Sequence, residues 1–255
     1  MMDRGQAYGD GLFETMRAHR GTLPWWDAHW ARLARGGERL GIDLPDQSQL
    51  RARAGELLAD GGDGVLKLLV IRGGVARGYA PAADAASQWQ LERHPLPPPI
   101  PGGLRLQWCR TRLSVQPLLA GIKHCNRLEQ VLARAECVAA GADEGLACDT
   151  DGNVVSATSA NLFVLREGAW LTPPLQRCGV AGTCRAALMA PLDAREAMLD
   201  IAAVESAQAV FLCNAVRGIL PVANLGARRW SPHPAIAAAR AALATLHPGL
   251  VPELE

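Results

Sequence analysis

Apolar positions recur along this chain with two periods, and the switches between them mark out its elements. Tyr8-Gly9-Asp10-Gly11 reads as a glycine-bent turn entering a strand through Leu12, Phe13, Glu14 and Met16, and Arg20-Gly21 as a hairpin turn. Trp30, Leu33 and Leu40, stopped by Gly41, predict a helix over 27–40 that contains Arg32. A second helix is expected over 47–58. The apolar run 65–71, interrupted only by Lys67, predicts a buried strand. Glycines then crowd 72–79, which contains Arg77 and Tyr79, so the backbone bends there or approaches something closely; a surface loop and a ligand-holding loop both fit.

The proline cluster at 95–101 reads as a stiff loop, because a strand pattern (Leu104, Leu106, Trp108) follows at once. The irregular stretch 112–121 is the better domain boundary. Beyond it Leu128, Val131, Leu132, Ala135 and Val138 recur at helical spacing, which predicts a helix packed by that face, with Lys123 just ahead of it. Strands over 145–149, 154–158, 161–165 and 170–172, separated by Asp151-Gly152 and Glu167-Gly168, predict an antiparallel meander. A small-residue loop at 178–185 leads into a helix through Leu188 and Met189, a strand covers 209–213, and a helix covers 234–246. The sum is an α/β (α+β) chain of two domains: a smaller one over 1–112, a connecting loop over 113–121 and a larger one over 122–255.

Composition narrows the classes. With 255 residues the chain can bury a substantial core. A net charge of +1, with dispersed arginines offset by 25 acids, argues against nucleic-acid or anionic-membrane partners. No run has signal-peptide or membrane-span character, so a cytoplasmic protein is expected. Seven scattered cysteines without paired short spacing argue against zinc and against a disulfide framework, and most are expected to be small buried hydrophobes.

One residue stands out chemically. Only two of the 26 basic residues are lysines, Lys67 and Lys123, so a pressure that made nearly every cation arginine spared Lys123. Arginine stays protonated, whereas a desolvated lysine loses its proton and attacks a carbonyl. Lys123 is therefore the candidate for imine chemistry, against the plainer reading of a lysine that caps a loop. The loop 178–185, feeding a helix amino terminus, offers backbone N–H groups to a phosphate, although a plain turn into a helix has the same appearance.

Seven motifs in order (YGDGLFET from Tyr8, HWARL from His29, RGGVARGY from Arg72, LAGIKHCNRLEQVLARAE from Leu119, TSANLF from Thr158, CGVAGTCR from Cys178 and CNAVRGILPV from Cys213) resemble those of the fold-type IV pyridoxal-phosphate enzymes. That group includes branched-chain and D-amino acid aminotransferases. Within it the likeness is to the 4-amino-4-deoxychorismate lyases, which release 4-aminobenzoate, a folate precursor, and pyruvate.

The resemblance implies two α/β domains with pyridoxal 5'-phosphate in the cleft between them, in a homodimer, with no metal. It implies that Lys123 binds the cofactor covalently and shuttles the substrate proton. Arg32 would contact the cofactor phosphate, joined by donors around Val180-Ala181 and Asn214-Ala215. Arg112 would meet a substrate carboxylate, with Arg77 and Tyr79 as further substrate-side candidates.

Two departures from the family pattern stand out. The family generally has a strand and turn ahead of the Asp-Arg seen at Asp3-Arg4, so the chain is expected to lack an edge strand or to have a misplaced start. Five places before Asn161, where the family has a glutamate for the pyridine nitrogen, stands Ser156. A hydroxyl leaves the ring a weaker electron sink than a carboxylate does, which burdens transamination more than elimination. Asp149 or another acid replacing the glutamate is the rival expectation. An aminotransferase and a cofactor-binding protein without turnover are the alternative functions.

Overall fold

A computed structural model describes residues 4–74, 78–81 and 85–250 and divides the chain into two compact units. The first comprises Met1–Leu96 together with Ile122–Arg127, and the second Pro97–Gly121 together with Leu128–Glu255. This differs from the division expected at 112 and 122. The strand at 104–108 pairs within the second unit's sheet, and the segment that carries Lys123 hydrogen-bonds along the first unit's sheet.

The first unit opens with α1 (Arg4–Tyr8) and β1 (Gly11–Ala18), then α2 (Trp26–Leu40), α3 (Gln47–Leu57), β2 (Gly64–Arg72) and β3 (Ser87–His94). The strands form an antiparallel sheet in the order β1-β2-β3. Alternation along β1 buries Leu12, Glu14, Met16 and Ala18 while Phe13, Thr15 and Arg17 stand on the other, half-covered face. α2 contacts β1 so closely that a Cβ on Gly36 would lie 2.8 Å from the Leu12 side chain, which accounts for a mid-helix glycine. The turn expected at Arg20-Gly21 is present, both residues having positive φ between the bridged His19 and Thr22.

The second unit contains β4 (Leu104–Trp108), α4 (Leu128–Ala139), β5 (Glu144–Cys148), β6 (Val154–Ala157), β7 (Asn161–Arg166) and β8 (Ala169–Thr172). There follow α5 (Thr183–Met189), β9 (Arg195–Glu196), α6 (Ile201–Glu205), β10 (Ala209–Asn214), β11 (Gly218–Leu225), β12 (Arg228–Arg229) and α7 (Pro234–Leu246). The strand order is β6-β5-β4-β11-β10-β7-β8-β9, with β12 on β11. The meander expected over the strands from 145 to 172 is therefore broken: β5–β6 and β7–β8 are hairpins, but β6 and β7 are not neighbours, and β4 pairs in parallel with both β5 and β11.

Leu146, Leu162, Val164, Val210 and Leu212 build one core of this sheet. Phe163 stacks on its cross-strand partner Phe211 at 4.9 Å, and Trp170 meets Phe211 edge-on. Each of these fully buried phenylalanines contributes about 1.5–3 kcal/mol.

Two expectations fare differently. All seven cysteines are free thiols, six of them buried. α4, by contrast, buries Ala133 and Cys137, and the apolar stripe expected to pack (Leu128, Val131, Leu132 and Val138) is 59–71 % exposed. Among the described residues no helix is long and apolar enough to cross a membrane.

Candidate active site

Lys123 is positioned by a strand-like pairing rather than by the start of a helix, since α4 begins only at Leu128. Phe13 N–H donates to the Lys123 carbonyl at 3.0 Å, Cys125 N–H donates to Gly11 at 2.9 Å, and Leu12 and His124 form an antiparallel bridge. Lys123 thus pairs across from Phe13, and its Nζ lies 4.0 Å from the centre of the Phe13 ring. That cation–π seat is on the half-covered face of the sheet, where Thr15 is paired with Lys67, the only other lysine.

In the same unit lies Arg32, named from sequence, with two partners that sequence reading missed, Glu14 and His29. Glu14, His29 and Arg32 are each at most 5 % exposed. Arg32 chelates the Glu14 carboxylate, its Nε donating to Oε1 at 2.8 Å and its terminal nitrogen to Oε2 at 2.5 Å, while His29 Nδ1 is 2.6 Å from Oε2. Burial opposes ionisation of Glu14, but the hydrogen bonds and charge of Arg32, aided by His29, outweigh it and hold the carboxyl at about 2. Burial pushes the Lys123 amine down to about 7, with Arg32 adding to the effect and Glu14 opposing it. Burial also lowers His29, against the pull of Glu14. An amine that is half unprotonated near neutrality is what imine formation requires.

Arg4, at the start of this unit, pairs with Asp10 and donates to the carbonyls of Gly78, Tyr79 and Ala80. Tyr79 packs at a tilt against Tyr8, ring centres 5.3 Å apart, and is 85 % exposed. Arg77 and Asp3 lie outside the described residues.

In the second unit the loop before α5 is held internally. Ala181 N–H donates to Gly121 at 3.0 Å, and the Val180 carbonyl accepts from Asn161 Nδ2 at 2.9 Å. The Ala181 N–H named from sequence is thus already bonded within the protein. The first amides of α5, at Thr183 and Cys184, have no acceptor within the helix. Beside them the Thr183 hydroxyl is buried with no hydrogen-bond partner among the described residues, a donor set that suits an anion. Asn161 packs so tightly here that a Cβ on Gly182 would come within 2.0 Å of its Oδ1.

Asn214 Oδ1 accepts from the N–H groups of Val216 and Arg217, closing the turn that holds Ala215. Ser156 is buried in β6 opposite Ala147, its hydroxyl donating to the Ala157 carbonyl at 3.0 Å. Asp149, the rival acid, accepts from Asn153 Nδ2 and from the backbone of Asp151 and Asn153, so its carboxylate is spent on closing a turn. Arg112 is exposed, directly before Leu113, whose N–H bonds to Cys148.

The model of the class IV amino-transferase family matches residues 11–225. An aminodeoxychorismate lyase of Vibrio harveyi is 33 % identical over 235 residues, covering 88 % of this chain and 86 % of that protein. The crystal structure of 4-amino-4-deoxychorismate lyase from Pseudomonas aeruginosa superposes with a TM-score of 0.88 at 43 % identity, over 95 % of this chain and 93 % of that one. A D-alanine aminotransferase of Bacillus licheniformis is 27 % identical over 88 % of this chain and 81 % of its own length. With the family match spanning both units and this degree of likeness, the chain belongs to the class IV aminotransferase family.

Proposed function

We propose that this protein is a pyridoxal-phosphate-dependent lyase that converts 4-amino-4-deoxychorismate to 4-aminobenzoate and pyruvate. The observation that carries the reading is the Lys123 amine, seated on Phe13 and held at about 7, in a chain 43 % identical to a lyase of that name. When bound, pyridoxal phosphate supplies an aldehyde for covalent attachment and a ring that accepts electrons from the substrate carbon. Arg32 would supply positive charge to its phosphate, and Thr183, Cys184 and Val180 would add neutral donors, as would the turn at Asn214-Ala215, whereas the Ala181 amide is already taken by Gly121. Ser156 would offer the pyridine nitrogen a hydroxyl by turning it from the Ala157 carbonyl.

The residues then divide the work. Lys123, unprotonated, takes the proton from the nitrogen-bearing ring carbon, and as an ammonium returns a proton to the methylene of the departing enolpyruvyl group. The C–O bond breaks, pyruvate leaves and the ring becomes aromatic, so no external oxidant or reductant is consumed. The substrate carries two carboxylates. Lys67, on the same sheet face as Phe13, and Arg112 are our candidates to receive them, with Arg77 and Tyr79 nearby in sequence on the glycine-rich loop.

A transaminase reading draws on the D-alanine aminotransferase likeness, but Ser156 disfavours it. Following 4-aminobenzoate and pyruvate together on addition of aminodeoxychorismate separates the two readings, since a transaminase instead yields a keto acid from an amino donor. We place the enzyme in the cytoplasm, where seven free thiols persist, as a homodimer that covers the exposed α4 stripe.

A further inference from the structure

We propose that Glu14 is a positioning residue: it fixes the Arg32 guanidinium in one orientation and is its buried counter-charge. The inference rests on the functional reading above. Glu14 sits on the covered face of β1, one residue along from Phe13, which pairs with Lys123. Both its oxygens are engaged by Arg32, and one is also shared with His29, all three side chains being buried. An arginine chelated in this way cannot swing without breaking two charge-assisted bonds, so its remaining donor directions are set before any anion arrives.

The titratable groups that act on Lys123 come from three segments. Arg32 and His29 come from α2, Glu14 from β1, and Arg127 and Cys125 from its own segment. Arg32 and Arg127 favour the neutral amine and Glu14 favours the ammonium. Without Glu14 the guanidinium loses both its anchor and its counter-charge, so phosphate affinity falls and the amine titrates lower. A purely structural Glu14 would alter stability and leave the Lys123 titration alone.

The scarcity of lysine makes this measurable in the full-length chain. Reductive methylation with 13C-formaldehyde labels Lys67, Lys123 and the amino terminus, and Lys67→Arg assigns the signals. Freed of cofactor, the wild type should titrate at Lys123 near 7. Glu14→Gln should move that midpoint down by about one unit. On unmethylated protein it should weaken pyridoxal phosphate binding about tenfold, and Glu14→Asp should restore most of both.

If Glu14→Gln does not fold, Glu14→Gln combined with Arg32→Gln removes the pair together and is compared with Arg32→Gln alone. The double variant should still titrate lower. Equal midpoints and equal affinities in either comparison overturn the inference while leaving the lyase reading intact; a wild type that binds no pyridoxal phosphate overturns the reading itself.

Discussion

The two units carry candidate site residues of opposite kinds. The first concentrates titratable groups: the Glu14–Arg32 ion pair and His29 are bonded to one another under α2, and Lys123 is desolvated on an aromatic ring. The second presents neutral groups: the amides at the start of α5, the Thr183 and Ser156 hydroxyls and the Asn161 and Asn214 amides. A buried charge is tolerable only when paired, so the first unit is sensitive to pH and to loss of any partner. Neutral donors on tight turns are instead sensitive to added volume. On the proposed function, reactivity is set in the first unit and fit in the second.

The contrast can be tested from its largest consequence downward. Lys123→Arg keeps the charge but cannot shed its proton, and product formation should drop at least about a thousandfold with the fold intact by circular dichroism. In the wild type, the rate of pyridoxal phosphate capture should rise as pH passes about 7, because the amine becomes neutral above that value.

Next comes acid. Glu14 is depressed to about 2 from 4.5, so its stabilising effect is complete above 4.5 and lost as pH falls toward 2. That is on the order of 3 kcal/mol, read by urea unfolding across this window, and Glu14→Gln should flatten the curve there.

Gly182→Ala, in the neutral half, should cost about 1–3 kcal/mol, since the new methyl displaces Asn161 and breaks its bond to Val180. Pyridoxal phosphate affinity should fall with it, without any shift in the Lys123 titration; such a shift would erase the division of labour. Ser156→Glu should raise half-transamination of amino acids several-fold relative to lyase turnover, measured as the pyridoxamine form. An unchanged ratio would remove Ser156 from the account. Smallest, Leu132→Glu on the exposed stripe should change subunit stability by less than about 0.5 kcal/mol while shifting sedimentation from dimer toward monomer.

Much of this was readable in the chain itself. Lysine scarcity singled out Lys123, and strand and helix periodicity placed β1, α2 and β2 within a residue or two. Glu14 was hidden because an acid in an alternating strand reads as a solvent-facing residue until the helix above it is seen to carry His29 and Arg32. The α4 stripe misled for a related reason. Periodicity shows that a helix has an apolar face but not what covers it, and here the buried residues are the small ones, Ala133 and Cys137. The meander failed at β6–β7 because strand pairing across long intervals, such as β4 with β11, leaves no local trace. The Ala181 amide, a plausible phosphate donor in sequence, is taken up by Gly121, a contact set by the fold.

The most direct test of the central claim is to load the purified protein with pyridoxal phosphate, add 4-amino-4-deoxychorismate and follow 4-aminobenzoate and pyruvate together, with Lys123→Ala alongside. The account requires equimolar products from the wild type and none from the variant. Cofactor-loaded wild-type protein that forms neither product, or a Lys123→Ala protein that forms both at the wild-type rate, would contradict it.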